Sequence, residues 1–149
     1  MMHEGDKASQ PDKRQPPAGV KIPPRYLENG AAKMGRKDLE RAVKQRKLIV
    51  KRFKAGGDLG DWLEDGKLLV GLLQDYWTGT YREISPGNLA VVVFALLYVL
   101  NPVDLLPDAL PVIGLADDWV VMAWCMNTIR SELADYRTWR EQNGGDGES

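Results

Sequence analysis

The sequence predicts an all-α protein of about four helices, and three observations lead to this prediction. Apolar residues recur at helical spacing through most of the chain, no stretch alternates as a half-buried strand does, and glycine or proline separates the apolar segments. The 149 residues are enough for one domain with a single core. Residues 1–35 and 142–149 are polar and rich in charge, proline or glycine, so we expect a disordered leader and a disordered tail around a helical domain over residues 36–141.

The first predicted helix spans residues 36–54 and is strongly basic. It holds 9 Lys or Arg and 2 Asp or Glu, hence a net charge of +7, whereas the whole chain has a net charge of −1. One stripe is apolar and consists of Leu39, Ala42, Val43, Ile49, Val50 and Phe53. Such a helix suits an anionic surface, which we expect to be bound by Arg41, Lys44, Lys47 and Lys51.

The second and fourth predicted helices are amphipathic. The second runs over about 62–78, and its apolar face includes Trp62, Leu63, Leu69, Val70, Leu73, Tyr76 and Trp77. The fourth begins at Asp117 or Asp118 and runs to about residue 141. Its stripe consists of Val121, Trp124, Cys125, Thr128, Ile129, Leu133 and Tyr136.

The third predicted helix, residues 86–100, carries no charge. Ser85 is a suitable N-cap, and proline at position 86 suits the first helical position. The run "LAVVVFALLYVL", residues 89–100, is apolar on every side, which indicates burial in a protein core or in lipid. At ~1.5 Å per residue it covers about 18 Å, against a hydrocarbon core of roughly 30 Å. Three alternatives remain open: a buried core helix, a re-entrant membrane hairpin and an interfacial segment.

Residues 101–118, "NPVDLLPDALPVIGLADD", connect the third and fourth helices into a short hairpin. Helix-breaking residues stand at Pro102, Pro107, Pro111 and Gly114. Four carboxylates share the stretch, those of Asp104, Asp108, Asp117 and Asp118. These aspartates either cap helical turns, converge on Mg²⁺ or Ca²⁺, or meet Arg and Lys from the basic helix or from a partner.

Residue types that carry common enzyme chemistry are scarce. The only histidine is His3, in the leader, which leaves His-based triads and zinc sites without support. The only cysteine, Cys125, lies on an apolar helical face and is interpreted as a core residue rather than a nucleophile. Neither a dinucleotide-binding nor a P-loop glycine motif is present. We therefore expect no enzyme activity, and no cofactor unless the aspartates bind Mg²⁺ or Ca²⁺.

The surroundings of the apolar helix favour a membrane. Aromatic residues flank it, in "YWTGTYR" at 76–82 and at Trp119 and Trp124, as in an interfacial belt. The basic helix would then face anionic lipid. The alternative is that these aromatics fill the core of a small bundle and that the basic helix binds nucleic acid or an acidic partner. Nucleic acid is the weaker alternative, because aromatic interleaving is slight and no nucleic-acid-binding motif is present.

The hairpin motif resembles the signature of the YkvA-like family, a bacterial domain of unknown function. The motif is carried by Pro102, Asp104, Leu105, Leu106, Pro107, Asp108, Leu110, Pro111, Ile113, Gly114, Asp117 and Asp118. The similarity covers about residues 85–125, and Asn101 stands where many members have serine. The resemblance implies a small helical protein, often of membranes, with no assigned reaction. It supplies no catalytic residue.

We therefore expect a non-enzymatic, membrane-associated accessory or interaction protein at the cytoplasmic side of the bacterial inner membrane, with an unknown protein partner. A hairpin over residues 86–141 would be associated with the bilayer or dip into it. The domain would comprise residues 36–83, the family-like hairpin 85–125 and a helix extension 126–141. The alternatives are a soluble cytoplasmic protein whose basic helix binds nucleic acid or an acidic partner, and a divalent-cation-binding module.

Overall fold

The computed structural model describes residues 24–101 and 118–143, and within these two ranges the regular structure is entirely helical, which confirms the predicted all-α class. Seven α-helices lie there: α1 (Pro24–Ala32), α2 (Arg36–Lys44), α3 (Arg46–Lys54), α4 (Leu63–Thr78), α5 (Pro86–Leu100), α6 (Asp118–Thr128) and α7 (Arg130–Gln142). A short 3-10 helix, Gly57–Trp62, precedes α4. The predicted number of about four is therefore too low.

Two of the predicted helices are each divided by one residue. Gln45 (φ −96°, ψ 14°) separates α2 from α3, and Ile129 (φ −106°, ψ 19°) separates α6 from α7. Just before Ile129, the Thr128 hydroxyl donates a hydrogen bond to the Trp124 carbonyl oxygen at 2.7 Å. This kind of back-bonding bends helices. Neither dividing residue is glycine or proline, so the local sequence carries no signal for either division.

The remaining difference in number is α1, which packs against α5. Leu27 and Ala31 are buried, at 2 % and 3 % exposure. A Cβ atom at Gly30 would lie only 2.4 Å from Cε1 of Phe94, so glycine permits this close approach. The predicted disordered leader, residues 1–35, is therefore wrong over Pro24–Ala32, because two apolar side chains and one glycine suffice to dock a helix on the core. Residues 1–23 lie outside the described ranges.

Helix α5 is the centre of the fold. It begins and ends as predicted, and the Ser85 hydroxyl accepts a hydrogen bond from the Asn88 N–H at 3.3 Å. Leu89 and Val91–Val99 are buried, and α5 packs against α1, α2, α3, α4 and α6. This burial by protein corresponds to the core-helix alternative. The hairpin predicted to associate with the bilayer or dip into it includes residues 102–117, which lie outside the described ranges, and its relation to a bilayer stays a prediction.

In the described parts of the chain, no helix combines the length and the apolar character needed to cross a bilayer.

The aromatics that flank α5 contribute to the core. Tyr81 and Trp119 are buried, and Trp119 packs edge-on against buried Trp62 with ring centroids 5.3 Å apart. The half-buried Trp124 meets Phe94 of α5 edge-on at 6.0 Å. The interpretation of these residues as an interfacial belt is therefore wrong for Tyr81 and Trp119, whose rings are enclosed by protein.

Polar contacts hold helix α7 to the bundle, among them an ion pair between Arg137 and Asp65 of α4 with 3.9 Å between Nη2 and Oδ1. The Tyr136 hydroxyl donates to Oδ2 of Asp75 in α4 at 2.7 Å. Burial, followed by this hydrogen bond, raises the pKa of Tyr136 above its ordinary range, so the hydroxyl stays protonated and remains a donor. The Glu132 carboxylate accepts from the Ser85 N–H at 3.0 Å and from the Asn88 side-chain amide, which ties α7 to the start of α5.

Candidate functional site

The basic face of α2 and α3 is exposed along the side opposite to the core. Lys44, Lys47 and Lys51 are exposed, and Arg41 is half-buried. The buried residues of the same two helices are Leu39, Ala42, Val43, Ile49 and Phe53. Within α2, Arg41 and Lys44 are three residues apart, and within α3, Lys47 and Lys51 are four residues apart, so each pair lies on one side of its own helix. We call these four cations, together with Leu48, the basic face.

Leu48 is an apolar side chain in the middle of the basic face. Its exposure is 49 %, and among the described residues it is the one large hydrophobic side chain that is exposed. Within α3 it lies three residues before Lys51, so these two side chains are neighbours on the helix surface. Ile49 and Phe53, one and five residues after it in the same helix, are buried in the core at 0 % exposure. The sequence analysis did not single out Leu48, because the apolar stripe of a helix predicts where apolar residues are buried and not which one is left out.

Within the described residues, one ion pair of the basic face joins Lys44 to Glu40. Lys44 Nζ lies 3.1 Å from Oε2 of Glu40, and both side chains are largely exposed, at 70 % and 42 %. An exposed pair of this kind contributes little and is screened by salt. The face therefore presents net positive charge to solvent.

A different basic residue of α3 has a structural role. Nε of Arg52 donates to the Val99 carbonyl oxygen at 3.1 Å, close to the end of α5. The last carbonyl groups of a helix carry partial negative charge, so a guanidinium there is favourable. Arg52 therefore joins α3 to the point at which the chain leaves α5 for the aspartate-rich connection.

The aspartate cluster cannot be placed. Asp104, Asp108 and Asp117 lie outside the described residues, as do Pro102, Pro107, Pro111 and Gly114, and of Asp118 only the backbone, at the start of α6, is described. A cation site at these aspartates stays a prediction. Over residues 24–101 and 118–143, no group of three or more His, Cys, Asp or Glu side chains is close enough to hold a metal ion.

Cys125 is enclosed by the core. Its exposure is 0 %, and burial raises the pKa of the thiol from 9.0 to about 12. The thiolate is the nucleophilic form, and it is therefore not populated at neutral pH. This agrees with the interpretation of Cys125 as a core residue.

A second feature, absent from the sequence analysis, is a cavity bordered by α2, α4 and α5. Arg36 and Arg82 stand at this cavity, each beside an aromatic ring, that of Trp77 and that of Tyr76 respectively. The stretch "YWTGTYR" contains both aromatic residues and one of the two arginines, Arg82. Arg36 lies 40 residues before Tyr76, and it is the fold that brings the two arginines to the same cavity.

Comparison with known proteins places the chain in a family. A family model described as "Protein of unknown function (DUF1232)" matches residues 88–124, which run from the first turn of α5 into α6. A protein of Bacillus subtilis (strain 168), named "Uncharacterized membrane protein YkvA", is 32% identical over 71 residues, which is 48% of this chain and 67% of the relative. No solved structure matches the chain. The matched residues include the hairpin that carries the predicted signature, and the chain therefore belongs to the YkvA-like family of proteins of unknown function.

Proposed function

We propose that this protein is a non-enzymatic accessory protein that associates with the anionic surface of the bacterial inner membrane, on its cytoplasmic side, through the basic face. The observation that carries the proposal is the half-exposed side chain of Leu48, which follows Lys47 and lies one helical turn before Lys51. An apolar side chain among cations suits the boundary between lipid headgroups and acyl chains. The name of the Bacillus relative, a membrane protein, supports the same kind of location.

The expected strength of this contact is modest. Each lysine near an anionic leaflet contributes about 1 kcal/mol, and burying the exposed half of a leucine side chain adds about 1 kcal/mol. Three lysines and Leu48 together give about 4 kcal/mol, which corresponds to a dissociation constant near the millimolar range. Association through this face alone is therefore peripheral, reversible and sensitive to salt.

Vesicle sedimentation tests the proposal. Full-length protein is mixed with phosphatidylglycerol-containing vesicles and with neutral phosphatidylcholine vesicles at low salt. We expect binding to the anionic vesicles alone, and its loss in the double variant Lys47→Glu, Lys51→Glu. Lys44 is left unchanged, because it already pairs with Glu40.

The matched control is Lys67→Glu, Arg130→Glu. Both residues are exposed and lie outside α2 and α3, and the variant changes the net charge by the same amount. We expect it to bind vesicles like the wild type. Equal losses of binding in the two variants would mean that the net charge of the protein, and not the basic face, determines binding. If the Lys47, Lys51 variant bound normally, the basic face would not be the contact. The basic face would instead bind nucleic acid if two results were found together. The wild type would show no vesicle binding, and it would form a complex with nucleic acid in a low-salt gel shift that the Lys47, Lys51 variant does not form.

A further inference from the structure

The cavity between the start of α2, the end of α4 and the first turns of α5 has a volume of about 310 Å³. This lies at the lower end of the range of small-ligand pockets. Its lining contains two arginines and no acidic residue. None of the basic residues of the basic face lines it, so the two features are separate.

The two arginines are held by aromatic rings. Cζ of Arg36 lies 4.9 Å from the centroid of the Trp77 ring, and Cζ of Arg82 lies 4.6 Å from that of Tyr76. Within the part of the chain that is described, neither guanidinium has a carboxylate partner. Stacking orients a guanidinium while leaving the N–H donors at its edge available. Two oriented cations that have no carboxylate partner among the described residues form a place that an anion can occupy.

The acidic residue nearest in sequence to Arg36 is already engaged. The Asp38 carboxylate accepts the Gly35 N–H at 2.8 Å, at the start of α2. It therefore serves the helix terminus and is not among the residues that line the cavity.

Part of the cavity lining is apolar. Leu39 from α2 and Leu89 and Val93 from α5 are buried there. Within Leu89–Val99, Ala90 alone is not fully buried, and it too lines the cavity. Among the described residues, α5 is thus partly exposed at Ala90, next to the two arginines. An apolar group in the cavity would remove the exposed surface of Ala90 from water, which is favourable.

We propose that this cavity binds a free single-chain amphiphile with an anionic headgroup, of the fatty-acid type. Its headgroup accepts hydrogen bonds from Arg36 and Arg82, and its chain lies against Leu89, Ala90 and Val93. Charge complementarity selects the headgroup, and the limited volume selects a single chain. The site does not rest on the proposed membrane contact, because it uses other residues and takes a ligand from solution.

Isothermal titration calorimetry of the full-length protein with decanoate, below its micellar concentration, tests the proposal. We expect saturable binding of one decanoate per chain. Arg36→Gln, Arg82→Gln weakens it by about tenfold or more, because charged hydrogen bonds are lost. Acetate, which lacks the chain, and decanol, which lacks the charge, both bind much more weakly. Lys47→Gln, Lys51→Gln serves as the control and retains full affinity.

A second variant addresses the apolar part of the lining. Ala90→Phe places a ring in the cavity and should abolish decanoate binding, and its circular dichroism spectrum shows whether it is folded. If it does not fold, the arginine variant decides alone, since both arginines are exposed. Absent binding, or affinity unchanged in the arginine variant, overturns the proposal, as does equal affinity for decanol. A dimer that the arginine variant dissociates, with no decanoate binding, would assign the cavity to a second copy of the chain.

Vesicle sedimentation of the same arginine variant separates the two proposals. We expect its binding to anionic vesicles to match that of the wild type. Loss of decanoate binding with normal vesicle binding supports an independent cavity site. Loss of vesicle binding in this variant would instead mean that the two arginines belong to the membrane contact, and would overturn the cavity as a separate site.

Discussion

Helices α3 and α5 lie in contact but use their residues in opposite ways. Helix α3 has five basic residues in nine, no acidic one, and exposes Leu48 among them. Helix α5 has no charge and is buried from Leu89 to Val99 except at Ala90. The most apolar segment of the chain is therefore enclosed by protein, and the apolar side chain that is open to an outside surface belongs to one of the most basic helices.

The comparison shows that a helix rich in apolar residues does not have to expose them to a membrane or a partner. A helix that is apolar on every side either meets lipid or is enclosed by other helices, and α5 is enclosed by five of them. Removing those contacts to insert α5 into lipid would gain little, since a lipid chain is about as apolar as the leucines and valines already packed there. Leu48 loses no contacts of that kind when it meets a headgroup layer.

The largest expected effect compares the same substitution on the two helices. Leu96→Ala removes a side chain with 0 % exposure and should lower the free energy of unfolding by about 2–5 kcal/mol. Leu48→Ala, at 49 % exposure, should change it by no more than about 0.5 kcal/mol. Urea unfolding followed by circular dichroism, without lipid, measures both. Similar small costs for the two variants would mean that α5 is not enclosed by the other helices.

The course of α5 could be predicted from the sequence because its signals are local. Ser85 and Pro86 define its start, and Asn101 before proline defines its end. The divisions at Gln45 and Ile129 could not be predicted, since neither residue type breaks a helix. The division at Ile129 accompanies the hydrogen bond from the Thr128 hydroxyl to the Trp124 carbonyl oxygen, a contact that threonine in a helix can make but does not always make.

The candidate site was predictable only in part. Lys47 and Lys51 lie on one side of α3, as their spacing of four residues predicts, and both are exposed. Lys44 belongs to α2, before the division at Gln45, so no helical spacing relates it to them. The exposure of Leu48 does not follow, because an apolar residue in a helix is expected on the buried stripe. The pairing of Arg36 with Trp77 and of Arg82 with Tyr76 depends on how α2 and α4 meet, which no spacing within one segment encodes.

An intermediate effect is expected where α3 is anchored beneath its basic face. A Cβ atom at Gly66 in α4 would lie 2.6 Å from Cε2 of Phe53, whose ring has 0 % exposure. Gly66→Ala should therefore lower the free energy of unfolding by about 1–2 kcal/mol, since overpacking outweighs the better helix propensity of alanine. Thermal unfolding measures it. Gly87→Ala is the control, because a Cβ there meets nothing within 4 Å, and it should be neutral or slightly stabilising. Equal stability of the two variants would show that Phe53 moves aside freely.

The smallest expected effect concerns lipid affinity and separates the apolar part of the basic face from its charge. Leu48→Ala should weaken binding to anionic vesicles by about fivefold, which corresponds to about 1 kcal/mol of lost apolar contact. It should leave the dependence of binding on salt unchanged, because no charge is removed, whereas Lys47→Glu, Lys51→Glu should flatten that dependence. Leu68→Ala, at a half-buried leucine of α4, is the control for the loss of a leucine away from the basic face. Vesicle titrations at several salt concentrations measure all three variants. If Leu48→Ala bound as tightly as the wild type while the lysine variant bound weakly, the contact would be electrostatic alone, and Leu48 would be exposed without meeting the acyl region.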